Sequence, residues 1–165
     1  MRIDIIAVGR AGKNSPECHL SETYGARSTA LGAQLALGPV VIHSVEERQS
    51  RKRNVADADR AALEAKLLLA QIPKDALIVT LDATGRQLSS EGFADALAKH
   101  RDQGIRNLAF VIGGAQGLAP ELSAQAQWSL SLGAMIWPHM LARVMLSEQI
   151  YRAVTILANH PYHRA

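Results

Sequence analysis

"NLAFVIGGAQGL", Asn107 to Leu118, runs from an unbroken apolar stretch straight into three glycines, Gly113, Gly114 and Gly117. A short continuous apolar run is the signature of a strand covered on both faces. Glycines directly behind it let main-chain N–H and C=O groups approach a ligand closely and adopt positive φ. Taken alone, a plain strand-to-helix turn is the simpler reading of them.

The same strand signal recurs upstream, in "RIDIIAV" from Arg2, "VVIHSV" from Val40 and "ALIVTL" around Ile78. Helical patterns separate these runs. "ADADRAALEAKLLLAQI" places Ala61, Leu63, Leu67 and Leu68 at helical spacing, and "SSEGFADALAKHRDQG" opens on serine caps and stops at Gly104. "PELSAQAQ" begins a short helix with proline in its first turn, and "WSLSLGAMIW" is strand-like or extended. The chain then closes on a helix over Pro138 to Asn159, with Leu146, Ile150, Val154 and Leu157 in one apolar stripe that Met140 and Val144 widen. Between Gly12 and Val40 the pattern is less regular, and the helix expected there covers about Leu20 to Ala36. Strands alternating with helices predict an α/β protein built on a parallel sheet. With no linker or break in composition, residues 1–165 are expected to form a single domain.

Composition limits what such a domain does. A chain of 165 residues with 48% apolar content buries a core without disulfides or metals, and its one cysteine, Cys18, has no partner within the chain. No apolar run approaches the roughly 20 residues that span a bilayer, and the N-terminus has no signal-peptide pattern, so a soluble, cytoplasmic protein with no membrane partner is expected. The net charge is +3. Positive residues gather in "RQSRKRN", Arg48 to Asn54, which holds Arg51, Lys52 and Arg53, and around Arg143, Arg152 and Arg164, where Glu148 is the single acid after Glu121. Such zones suit a polyanion and equally suit solvated surface.

In parallel α/β sheets ligands bind beyond the carboxyl ends of the strands. "GRAGKN" behind the first strand lacks the dinucleotide fingerprint, and neither a phosphate-binding P-loop, a serine elbow nor a zinc-protease motif occurs. "LDATGRQLSS" follows the third strand and the glycine loop follows the fourth. The chain's last residues, "NHPYHRA", hold His160, Tyr162, His163 and Arg164. Pro161 breaks helical spacing between the histidines and no cysteine or local carboxylate completes a ligand set, so no metal is expected. Arg164 can pair with phosphate, Tyr162 can stack on an unpaired base, and the histidines can donate hydrogen bonds. The alternative is a tail packed on its own subunit.

Three segments, "FVIGGAQGL", "MIWPHMLARVMLSEQIYRA" and the terminal "NHPYHR", in that order and at fitting distances, resemble the signature of the RlmH family. These are SPOUT-class methyltransferases that modify N3 of a pseudouridine in 23S ribosomal RNA. The likeness spans essentially the whole chain. It is strong from about Asp75 to Arg164 and weak between Gly12 and Val40.

The resemblance implies a C-terminal trefoil knot over about residues 75–165, a homodimer, and S-adenosyl-L-methionine bound in the knot. The cofactor would lie on Leu81, on Gly113 and Gly114, and on the stretch Leu132, Gly133, Ala134, Met135, Ile136, Trp137 and Pro138. It also implies that one subunit's tail closes over the other's pocket. His160, Tyr162, His163 and Arg164 would then meet RNA, with Arg143 on the adjoining helix, and Arg143, Tyr162, His163 and Arg164 are the candidates for a part in catalysis. The implied partner is the assembled ribosome, touched also by Arg51, Lys52 and Arg53, and not DNA. The family loop usually continues with proline and an acid where this chain has Ala115 and Gln116. No histidine or carboxylate announces itself as a general base. Two other readings stay open: a knot protein that binds RNA or ribosomes without catalysis, and an unrelated α/β enzyme acting on a phosphorylated small molecule at the glycine loop.

Overall fold

The computed structural model describes residues 1–9, 15–46 and 57–163. Arg51, Lys52, Arg53 and Arg164 lie outside these residues, so the expectations placed on them are not addressed by the fold. Among the described residues no helix is long and apolar enough to cross a membrane.

Five strands, β1 (Arg2–Val8), β2 (Val40–Val45), β3 (Leu77–Gln87), β4 (Asn107–Ile112) and β5 (Trp128–Ser131), form one parallel sheet in the order β2-β1-β4-β3-β5. β1 and β4 lie inside it and are nearly free of solvent, which is why both sequences are mainly apolar without alternation, the buried Asp4 of β1 being paired with Arg2 and His43. Period-two geometry still divides their side chains. Ile3, Ile5 and Phe110 face a core completed by Phe93 and Leu97 of α3 (Ser90–Asp102) and by Leu146 and Ile150 of α5 (His139–Leu157). Ile6, Val8 and Val111 face a second core completed by Ala65 and Leu68 of α2 (Asp57–Leu69) and by Leu122 of the short α4 (Pro120–Ser123).

α1 differs from the expected span. It runs Pro16–Gly32, followed by a 3-10 turn at Ala33–Leu35, rather than from Leu20 to Ala36. Its start obeys cap chemistry: Ser15 accepts from the Cys18 amide and Pro16 opens the first turn. Its buried face consists of Cys18, Ser21, Gly25, Ser28 and Gly32, at alternating spacings of three and four. Small side chains let α1 pack closely along α5, and Tyr24 meets Tyr151 at a ring-centroid distance of 5.9 Å. A face built on small size instead of hydrophobicity leaves no apolar period to find.

β3 also extends beyond its expected end near Leu81. It pairs with β5 through Leu81, shifts register, and pairs again from Arg86. In the bulge Asp82 Oδ1 accepts from the Thr84 amide (2.8 Å) and hydroxyl (2.6 Å). A side chain on Gly85 would lie 2.8 Å from the β5 backbone, so the bulge needs glycine there. The segment "LDATGRQ", expected to be a loop, is therefore largely strand. α5 starts one residue after Pro138, which caps it, and ends at Leu157, short of Asn159. Leu146, Ile150 and Val154 are fully buried, while Leu157 is half-buried.

Candidate functional site

The register of β3, β4 and β5 brings their carboxyl ends to one edge, since Thr80 pairs with Val111 and Leu81 with Leu130. The segments leaving that edge enclose a cavity of about 560 Å³ with walls at Leu81–Ala83, in the glycine loop, at Leu132–Gly133, and along Met135–His139. Of the ten residues expected around a cofactor, Leu81, Gly113, Gly114, Leu132, Gly133, Met135, Ile136, Trp137 and Pro138 line it. Ala134 sits in the same loop but off the wall.

Two glycines of the loop are sterically required. A Cβ on Gly113 would lie 2.7 Å from the Gly117 carbonyl oxygen, and one on Gly114 would lie 2.7 Å from Glu64 Oε2 of α2. Gly117 takes a φ of +76° and donates its amide to the Gly114 carbonyl at 3.0 Å, closing the loop on itself. Opposite, Ser131 Oγ accepts from the Gly133 amide and lies 3.1 Å from the Ala83 carbonyl, so β5 ties two cavity walls together.

Beyond those walls the surface is open and apolar. Met135 is 70% exposed and Ile136 93%, with Trp137, Leu141 and, on α1, Leu20 exposed nearby in the sequence or on the packed helix. Met135, Ile136 and Trp137 also line the cavity, so its rim carries exposed apolar side chains.

Two ionisable side chains on the wall escaped the sequence reading. Asp82 is held below the ordinary carboxyl pKa by the hydroxyl and amide of Thr84. His139, the first residue of α5, is half-buried, and its ring lies over Gly9 so closely that a Cβ there would be 2.5 Å from Nε2. Burial, then the nearby Arg143 guanidinium, push its pKa below the usual histidine value. The sequence signal available for His139 was its place behind proline at a helix start facing the strand ends.

Arg143 of α5, one of the candidates for a part in catalysis, is 1% exposed. Its Nη1 donates to Ser44 Oγ of β2 (2.9 Å) and its Nη2 to the Val8 carbonyl of β1 (3.5 Å). The side chain therefore braces α5 against the ends of two strands instead of presenting its charge at the surface, and burial lowers its pKa.

The described part of the tail folds back along its own helix. His160 donates its amide to the Thr155 carbonyl, and its Nδ1 accepts from the Tyr162 amide. Tyr162 donates its hydroxyl to Glu148 Oε1 at 3.0 Å, and its ring packs 4.8 Å from Tyr151 and 5.0 Å from the Arg152 guanidinium. Arg152 in turn pairs with Glu148 at 2.6 Å. His163 Nε2 lies 3.0 Å from Glu91 Oε1 at the start of α3. None of His160, Tyr162 and His163 lines the cavity of its own chain.

Comparison with known proteins bears on this geometry. Residues 1–163 match the family described as Predicted SPOUT methyltransferase. The chain is 50% identical over 164 residues to the ribosomal RNA large subunit methyltransferase H of Ruegeria pomeroyi, covering 99% of each chain. It is 47% identical to the protein of the same name from Rhodopseudomonas palustris over the full length of both. Among solved structures, the SpoU methyltransferase AviRb of Streptomyces viridochromogenes, in complex with the cofactor AdoMet, aligns at a TM-score of 0.43 and 14% identity, covering 96% of this chain and 59% of that one.

Proposed function

The chain belongs to the SPOUT methyltransferase family, and from that premise we propose that it transfers a methyl group from S-adenosylmethionine to N3 of a pseudouridine in 23S ribosomal RNA, acting in the cytoplasm on assembled ribosomes. The observation that carries the proposal is the convergence of three strand-end segments on one apolar, glycine-lined cavity in a chain half identical to a ribosomal RNA large subunit methyltransferase.

The cavity fits the cofactor on its own terms. Its volume of 560 Å³ is in the range of small-molecule sites, about 300–1,000 Å³. Main-chain groups around Gly113 and Gly114 are bare because no side chain can occupy those positions. Leu81, Leu132, Met135 and Ile136 offer apolar contact for a purine, and the ionised Asp82 offers a charge opposite to a sulfonium. When bound, S-adenosylmethionine supplies an electrophilic methyl group.

The remaining work falls to the protein. The glycine loop and the 132–138 segment fix the position of the acceptor's partner, which is where most of the rate of a two-substrate reaction can originate. Leu132, Gly133 and Met135–Pro138 line one cavity with the β3 end and the glycine loop, and a trefoil knot over residues 75–165 is proposed to hold the three segments together. The apolar lip at Met135, Ile136 and Trp137 is proposed as part of a homodimer contact, with the tail of the second subunit laid over the cavity. That arrangement gives the tail residues Tyr162, His163 and Arg164, with His160, a role in gripping the target loop that their own cavity does not offer them. Arg51, Lys52 and Arg53 supply further phosphate contacts, so binding should weaken steeply with salt.

The test is transfer of labelled methyl from S-adenosylmethionine to ribosomes purified from cells lacking this protein, with the full chain and with a chain ending at Ala158. Label in large-subunit RNA from the full chain alone is the expected result. Cofactor binding without transfer by the full chain would favour an RNA-binding protein that lacks catalysis.

A further inference from the structure

A base nitrogen that carries a proton must lose it to become methylated, and something must take that proton. Among the described residues, the cavity wall holds two ionisable side chains, Asp82 and His139. Asp82 already accepts two hydrogen bonds from Thr84, at 2.8 and 2.6 Å, which stabilise its charged form and make it a weak base. No described residue bonds the ring of His139, whose edge rests on the backbone of Gly9 where β1 ends.

Gly9 takes a φ of +116° and leaves the space that the imidazole fills, so the ring is fixed by packing and keeps its hydrogen-bonding capacity. Glu46 directly follows β2, whose Val45 carbonyl accepts from the Gly9 amide beneath the ring. On α5 itself, Arg143 is buried and bound to Ser44 and Val8. From α1 comes Cys18, whose thiol bonds Glu22 and is pushed up in pKa by burial. From β3 comes the Asp82 carboxylate, and β1 contributes only main chain at Gly9. The partial burial of the ring and then the nearby Arg143 guanidinium both favour a neutral imidazole, the form that accepts a proton.

We propose that His139 is the catalytic residue that accepts the N3 proton of the target base, an inference that rests on the methyl-transfer function proposed above. The N3–H bond breaks with its electron pair left on nitrogen, and the proton passes to the imidazole and from there to water. That nitrogen pair forms the bond to the methyl carbon while the carbon–sulfur bond gives its pair to sulfur, leaving a neutral thioether. Charge balances: one sulfonium is consumed and one proton is released.

The experiment is single-turnover methylation of unmodified ribosomes across pH by the full chain and by His139→Gln and His139→Ala. In the same proteins, cofactor affinity is measured by calorimetry and the His139 ring is titrated by NMR. For the unaltered chain the rate should rise with pH and level off above the midpoint at which NMR shows His139 losing its proton. His139→Gln should bind cofactor normally yet react about 100-fold slower or worse. Free imidazole should restore part of the rate of His139→Ala, an effect that a purely structural ring would not show. A rate in His139→Gln unchanged in size and pH profile overturns the inference, and so does a profile in the unaltered chain that is flat through the NMR midpoint. No methylation by the unaltered chain would instead overturn the methyltransferase reading itself.

Discussion

The two ends of α5 are built on opposite plans. At its start lies a cavity with bare glycine backbone and apolar side chains left in solvent, Ile136 at 93% exposure among them. At its end, the last described residues of the chain, a place where order is usually lost, are clasped by Glu148, Tyr151, Arg152 and Glu91. The helix has 19 residues, about 28 Å, and the tail turns back along it. The start of the helix leaves apolar side chains in solvent, whereas its end is covered by the last described residues of the same chain.

The contrast breaks most severely at Arg143. Arg143→Ala removes a fully buried large side chain and both of its bonds, and should cost about 2–5 kcal/mol in urea unfolding. Arg143→Met should cost less than Arg143→Ala, because it fills the space without a buried charge. If Arg143→Met unfolds like the unaltered chain, the guanidinium bonds to Ser44 and Val8 are not the brace between α5 and the strand ends.

Gly113→Ala comes next. Its Cβ would press on the Gly117 carbonyl and on Leu118, an overpacking worth about 1–3 kcal/mol. Cofactor affinity in calorimetry should then fall about 10- to 100-fold, at 1.4 kcal/mol per decade. Unchanged affinity would remove the glycine loop from the site.

At the closed end, Tyr162→Phe deletes one hydrogen bond to Glu148 and keeps the ring contact with Tyr151. It should lower stability by about 1 kcal/mol and leave cofactor affinity as it was. A drop in affinity would mean that the ends communicate through the helix.

The smallest effect belongs to Asp82. Its carboxyl pKa is depressed by Thr84, so its contribution to stability is present above the ordinary carboxyl range and fades as pH falls through the depressed value. Solvent screens the group, and the contribution should stay below about 1 kcal/mol. Thr84→Val should flatten that part of the curve of urea midpoint against pH.

Much of the framework was legible in the residues. Continuous apolar runs marked β1 and β4 because both faces of a parallel sheet are covered. Ser89, which caps α3, and Gly104, with a φ of +80°, bounded that helix as their types require. α1 was misplaced because its buried face is serine, glycine and cysteine, chosen for size. The end of β3 was missed because a bulge at Asp82–Gly85 reads as loop residues while the strand continues past it. The glycine loop stood out from its composition, whereas the 132–138 stretch was singled out only by the family resemblance. His139 did not stand out, since one histidine behind a proline carries no periodicity and gains its meaning from the strand ends it meets.

The sequence by itself determined the α/β alternation, the glycine loop behind β4 and the family to which the order of motifs points, because these depend on neighbours along the chain. Tertiary structure alone decided that Arg143 is a buried brace, that the tail lies on its own helix, and that His139 stands on the cavity wall beside Gly9. Each of those depends on a close approach between elements distant in sequence, and packing sets such distances after local preferences have been satisfied.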